Sequence, residues 1–494
     1  MKMIRILTTR VSAWLIASLI VSACSTNPVT GKREILLMSA EQERTLGAQA
    51  AQQVEQQIGL VDDAELLAYV RAIGQRMAAA SPRQDVQYQF HVANMPEPNA
   101  FALPGGYIYV SRGLLAISNS EAELANVIGH EIGHVAARHS AQRQTRATGV
   151  GLLTVLGTVL AGAAGGSQAA ETASQLGQIA GAGLIASYGR DQERQSDEIG
   201  QKLAAQTGWD PMGMADFMDQ LGDYTVLVTG AARRPTYFDS HPPTQERSQT
   251  ATARARELTI TPMPAIAGSQ NAFYNQLDDL LVGPDPAGGV FRDTLLLHPD
   301  LDLAMGFPTG WDTDNQAAAV LAAPTERDAM LRLELQGGTG DPTAAATEYA
   351  RQNSLDFTSS GSGQINGFAA FQAIAQAQTE QGQLGLHLTW IAHPQGMFRV
   401  TGMAPVEKFN SYARVFENSA DSFRSLTAAE RGSITERHLD IVAARRGESL
   451  TGLSQRTGNR WTLEETQLAN DLPANVVLSS GQPIKIAIEI PYRP

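Results

Sequence analysis

Residues 120–136 read Ser120-Glu121-Ala122-Glu123-Leu124-Ala125-Asn126-Val127-Ile128-Gly129-His130-Glu131-Ile132-Gly133-His134-Val135-Ala136. The apolar residues Leu124, Val127, Ile128, Ile132 and Val135 recur at helical spacing, and Ser120 precedes Glu123 by three residues in a capping-box arrangement, so a helix begins here. On that helix His130 and His134 project from one face about 40° apart, with Glu131 on the adjoining flank. Two imidazoles and a carboxylate from a single turn offer two metal ligands and a base, the equipment of zinc-assisted hydrolysis.

A hydrolytic zinc site takes three protein ligands and leaves one position open. Downstream, residues 188–197 read Tyr-Gly-Arg-Asp-Gln-Glu-Arg-Gln-Ser-Asp, and Glu193 is the expected third ligand. Asp197, one helical turn on, would face the same site and accept the free ring N–H of a ligated histidine. Arg190, Asp191, Gln192 and Arg194 read as a solvated helix face. His139 falls off the ligand face of a continued helix and reads as surface, while His91, His298, His387, His393 and His438 have no metal spacing around them.

Four segments, in order, resemble the zinc metallopeptidase family that includes HtpX, the CAAX prenyl endopeptidases and the BepA-type periplasmic proteases. They are Asn99-Ala100-Phe101-Ala102-Leu103-Pro104-Gly105-Gly106-Tyr107-Ile108, Glu123-Leu124 leading into the histidine helix, Glu193 with Asp197, and Ser240-His241-Pro242-Pro243-Thr244 followed by Arg247. The resemblance covers roughly residues 30 to 260 and implies a mainly α-helical gluzincin domain holding one Zn2+ ion, with a small edge sheet running from Ala102 to Val110 beside the cleft. It also implies substrate contacts at Asn99, Ala100, Gly105 and Gly106, and places His241 and Arg247 in the catalytic machinery. In the family this histidine comes close to the metal, where it either steadies the oxyanion or occupies the open position and holds the enzyme inactive. Zinc on His130, His134 and Glu193 would acidify its water, with Glu131 taking the proton and passing it to the leaving amine. From the residues themselves, Tyr107-Ile108-Tyr109-Val110 behind Pro104-Gly105-Gly106 has the aromatic and β-branched content of a short strand.

At the N-terminus Lys2, Arg5 and Arg10 precede an apolar run from Val11 to Val21, too short for an ordinary membrane span. It ends in Val21-Ser22-Ala23-Cys24, which resembles a bacterial lipobox built around the chain's only cysteine. Residues 1–23 are the expected lipoprotein signal peptide and Cys24 the expected lipidation site. Ser25 at the next position favours, by resemblance to Gram-negative lipoproteins, an outer-membrane anchor with the body in the periplasm. The net charge is −13, and cleavage before Cys24 takes it to −16, since Lys2, Arg5 and Arg10 leave and no acidic residue does. Such an acidic surface repels phosphate backbones, which argues against a nucleic-acid partner. With one cysteine there is no intramolecular disulfide, and 494 residues exceed a single core.

Between the second and third ligands, residues 148–187 carry one charged side chain, Glu171, in a Gly-, Ala-, Leu- and Val-rich sequence. Glycine, serine and glutamine dilute its hydrophobicity, so two close-packed helices forming an apolar lid are expected in preference to a membrane hairpin. After the zinc metallopeptidase domain at 24–262, a Pro-containing stretch marks a linker at 263–290. Strand-like runs at Leu301–Phe307, Ala329–Leu335, Leu384–Ile391 and Met397–Met403, with helical candidates at Pro342–Gln352 and Val406–Ser422, suggest an antiparallel α+β accessory domain over 291–430. Phe307-Pro308-Thr309-Gly310-Trp311 and Phe423-Arg424-Ser425-Leu426-Thr427 resemble PsbP-like domains. No helical-repeat period is present, unlike the tetratricopeptide array of BepA-type proteins. Residues 436–490, through Gly447, Leu453, Asn470 and Gly481, resemble a LysM module, a βααβ fold that implies binding to peptidoglycan.

The expected architecture is therefore multidomain. The expected function is that of a lipid-anchored, periplasm-facing zinc endopeptidase acting on misfolded or misassembled envelope proteins. The opposing expectation is a chaperone or cell-wall adaptor whose zinc site is largely closed.

Overall fold

A computed structural model describes residues 24–146, 188–227, 241 and 245–493 apart from 339, 380, 381 and 474. The expected signal peptide at 1–23 and the expected apolar lid at 148–187 lie outside the described residues. The chain divides into two compact units. The first comprises the chain up to Glu55, Leu60–Val282 and His438–Ile488; the second comprises Gln56–Gly59, Gly283–Arg437 and Glu489–Pro494.

The first unit is built around the motif helix Glu121–Ala136, of which every residue but Ala122 is buried. Its start follows from the sequence: the Ser120 hydroxyl accepts from Glu123 N at 3.1 Å, and the Glu123 carboxylate reaches back to accept from Asn119 N at 2.8 Å. The helix packs on Ala64–Ala79, on Arg190–Gln206 and on Gly213–Leu227. Glycines set the second contact. A Cβ on Gly133 would stand 3.0 Å from Ser196 Cα, and one on Gly200 2.7 Å from His130 N, so these two helices meet backbone to backbone only because the side chains are missing.

A three-stranded sheet, order β3-β5-β4, flanks the helix, with β3 at Gln89–Ala93, β4 at Ala100–Leu103 and β5 at Tyr107–Ser111. The stretch expected as one edge strand from Ala102 to Val110 is instead two antiparallel strands folded across Pro104–Gly106, where Gly105 and Gly106 take φ of 81° and 102°. Strand β5 is central and β4 lies at the edge against the motif helix.

The stretch read as a linker contributes to the core, because the apolar residues that follow its prolines bury with those of the motif helix: Ala267, Phe273, Tyr274, Leu277, Leu280 and Val282. The C-terminal segment has the order β17 (Thr435–Ala443), helices Leu450–Thr457 and Leu463–Asn470, and β18 (Pro483–Pro491), with β17 between β18 and β6 (Leu281–Val282) in one sheet. Residues His438–Ile488 cluster with the first unit and not by themselves. The Lys485 ammonium is buried there and donates to the carbonyls of Ala116 and Ser118 at 3.0 and 2.6 Å.

The second unit contains a seven-stranded antiparallel sheet, order β10-β11-β12-β16-β15-β14-β13. The strands are Asp312–Gln316, Ala319–Ala323, Met330–Leu335, Phe357–Ile365, Phe368–Thr379, Gly382–His393 and Gly396–Pro405 for β10 to β16. Strand alternation puts Phe371, Leu388 and Trp390 with the helix Pro342–Asn353, and Phe398 and Val400 with Phe409 and Phe416 of the helix Val406–Asp421.

Candidate metal centre

His130 and His134 point their Nε2 atoms to one spot, 2.9 Å apart. The close helix pair brings Glu193 to the same place: Oε1 lies 3.4 Å from His134 Nε2 and Oε2 3.6 Å from His130 Nε2. His241 completes the group, its Nδ1 3.2 Å from His130 Nε2 and 3.1 Å from Glu193 Oε1. One ligand atom from each of the four lies within 4.8 Å of the others, and all four residues are buried.

The fit of a cation here rests on those atoms. Burial holds the His134 imidazole well below its ordinary pKa, so it is neutral with a lone pair to give. Buried ring nitrogens facing each other and a carboxylate at 2.9 to 3.6 Å are satisfied by a positive ion at their centre. Two imidazoles and one carboxylate are a donor set suited to zinc. Burial pushes the Glu193 carboxyl up, but the His241 charge and hydrogen bonds from His134 and His241 prevail and hold it far below the usual carboxylate range. It is therefore an anionic ligand.

The surrounding shell fixes these groups. Asp197 Oδ1 lies 2.9 Å from His130 Nδ1, on the ring edge opposite the metal position. Arg247 grips Asp197 with both Nε and Nη2 at 2.8 Å and reaches Glu193 Oε2 with Nη1 at 2.9 Å. Tyr188 stacks on the His134 ring, centroids 3.9 Å apart. Glu131 is buried, and His241 Nε2 is 3.4 Å from its Oε1. Burial raises its pKa, opposed by the nearby His241 and His130. A carboxylate pushed up in this way is a stronger base than an exposed one.

The sequence expectations meet the structure as follows. His130, Glu131, His134, Glu193, Asp197, His241 and Arg247 come together in one buried cluster. Asn99, Ala100, Gly105 and Gly106 are buried in packing: Asn99 N and O pair with Ser111, and a Cβ on Gly106 would meet Val86 Cγ1 at 2.4 Å. His139, expected at the surface, is buried, with Nδ1 2.9 Å from His134 Nδ1 and Nε2 2.9 Å from Gln195 Oε1. The reason is a break in the helix. Ala136 ends it, Arg138 adopts φ 58°, and the chain turns His139 back toward the site. An arginine in the left-handed region leaves no spacing signal. The Arg138 side chain is buried too, pairing with Glu43, which also takes Arg83.

A model of peptidase family M48 matches residues 65–255. The metalloprotease LoiP of Escherichia coli is 30% identical over 217 residues, 43% of this chain and 80% of LoiP. The beta-barrel assembly-enhancing protease of Yersinia pestis is 30% identical over 245 residues, 49% of each chain, so the chain spans about half the length of that relative. Among solved structures, the cyanobacterial PsbP protein of Synechocystis is similar at 12% identity and TM-score 0.24, covering 29% of this chain and 98% of that one, a likeness too slight to argue from.

Proposed function

The chain belongs to peptidase family M48, and from that premise we propose that it is a zinc endopeptidase of the Gram-negative envelope, tethered by lipid on Cys24 and facing the periplasm. The observation that carries the reading is the convergence of His130, His134 and Glu193 beside a buried Glu131. Those three residues would hold a zinc ion, whose Lewis acidity would act on a scissile carbonyl and a water molecule, easing the water's deprotonation. Glu131 accepts that proton and delivers it to the leaving amine. Asp197 holds His130 in the tautomer that leaves Nε2 free, and Arg247 holds Asp197 and Glu193 in register. An extended peptide is placed along the edge strand β4, which runs beside the motif helix.

The substrates we propose are misfolded or misassembled envelope proteins, in line with the name of the beta-barrel assembly-enhancing proteases. The βααβ segment at the C-terminus is the proposed contact with peptidoglycan. His241 supports a resting, closed state: its Nδ1 stands among the ligand atoms, and once deprotonated it would be a fourth residue holding the ion, in the place a substrate needs. A chaperone or adaptor with a permanently closed site is the second reading that this contact favours. Glu131→Gln tests the first. It removes the proton acceptor and keeps all three ligands, so hydrolysis disappears while zinc stays near one per chain. Zinc loss as large as that of His134→Ala contradicts the role given to Glu131.

A further inference from the structure

From the short strand at Arg33 through the bend at Leu37 and Met38, exposure alternates residue by residue. Leu36 and Met38 are buried and pack with Ala141, while Arg33, Ile35 and Leu37 face outward. Ile35 is 58% exposed and Leu37 52%, an unusual way to spend two large aliphatic residues on one short stretch. Their location gives them a use. Strands β1 (Cys24–Thr26) and β2 (Arg33–Ile35) pair antiparallel, with Cys24 directly opposite Ile35 and Thr26 opposite Arg33. Exposed Lys32 and Arg33 adjoin the apolar pair, positive charge on a chain whose net charge is −13.

We propose that Ile35 and Leu37 form a membrane-contact foot that enters the bilayer beside the acyl chains on Cys24, with Lys32 and Arg33 at the level of the lipid phosphates. The inference rests on the lipid anchor proposed above. Aliphatic side chains next to an anchor gain burial in the acyl region, and basic residues beside them meet phosphate at the interface.

The hairpin is also clamped to the end of the motif helix. Asn27 Nδ2 donates to Glu34 Oε1 at 3.0 Å and to Ala137 O at 3.4 Å; Gln142 Nε2 donates to Glu34 Oε2 at 2.9 Å; Leu37 N donates to Thr145 Oγ1 at 3.0 Å; and Arg138 Nη2 donates to Met38 O at 2.9 Å. Ala137 follows His134 by three residues. No flexible tether separates the anchor from the metal centre, so the foot holds the catalytic unit in one orientation and directs it to peptide segments presented at the bilayer surface.

The test places a reporter at the foot. Leu37→Trp is introduced into the full chain, with Cys24 intact and with Cys24→Ala, and each protein is mixed with phosphatidylethanolamine–phosphatidylglycerol vesicles containing brominated acyl chains. With Cys24 intact, the added tryptophan emits to the blue and is quenched beyond the parent protein; with Cys24→Ala it emits as in water, unquenched. The mass of the N-terminal peptide reports acylation separately. Acylated, vesicle-bound protein in which the added tryptophan is unquenched overturns the foot alone, whether that side chain faces water or is covered by the chain itself. A peptide without acyl mass overturns the anchor, and the foot with it.

Discussion

His134 owes its readiness for metal to a neighbour that a straight helix would have carried away. If Nε2 binds the ion, Nδ1 keeps the proton and donates to His139 Nδ1; His139 Nε2–H then donates to Gln195 Oε1, and every ring nitrogen has a defined role. Burial holds His139 at a pKa of about 4, so it stays neutral and accepts. Replacing it with leucine removes the acceptor and lowers zinc affinity about 10- to 100-fold, the usual range for such outer partners. His139→Asn, whose Oδ1 takes the place of Nδ1, retains affinity within a few fold; competition against a chromophoric chelator reads both. A merely structural loss would weaken the two variants alike. His241 makes the opposite kind of contribution, and His241→Ala raises basal peptide hydrolysis by vacating the metal's fourth position. A fall of about a hundredfold or more would instead assign it to the oxyanion.

At the scale of the element, the motif helix is held at its first turn by a buried carboxylate. Glu121 accepts from Tyr69 Oη at 2.9 Å, Trp209 Nε1 at 2.6 Å, Ile266 N at 2.8 Å and Ala267 N. Those donors come from three separate stretches of chain, and Glu121→Ala leaves all four without an acceptor, three of them on the buried residues Tyr69, Trp209 and Ala267. The expected loss is about 3–5 kcal/mol, measured as a shift in urea unfolding, with Trp209 fluorescence as a local probe. Glu121→Gln keeps an acceptor oxygen and costs less. The contrast marks what a sequence can disclose. Ser120 and Glu123 act over three residues and were legible as a cap, as were the apolar stripe and the pair of ligands four residues apart. The partners of Glu121 lie 52 to 146 residues away, and no local pattern announces them.

Across the whole molecule the same rule holds. The accessory sheet was readable only in part: the runs at Ala329–Leu335, Leu384–Ile391 and Met397–Met403 became three of its seven strands and the helix Val406–Asp421 follows its own period, while the polar strands Asp312–Gln316 and Phe357–Ile365 carry no apolar run to announce them, and Leu301–Phe307 supplies a strand of another sheet. The assignment of His438–Ile488 to the first unit was not readable, because it depends on burial of such residues as Lys485, whose ammonium reaches carbonyls 367 and 369 residues earlier. The third ligand lay between these cases: Glu193 stood out as a carboxylate with Asp197 one turn on, while the glycines that bring its helix against the first are clear only once the helices are seen together. The central claim is that this buried cluster holds a zinc ion and cuts peptides. Its most direct test is hydrolysis of unfolded casein by the purified chain before chelation, after chelation, and after return of one equivalent of zinc. The account predicts cleavage that vanishes with the metal and returns with it; cleavage indifferent to chelation, or none from zinc-loaded protein even with His241→Ala, would contradict it.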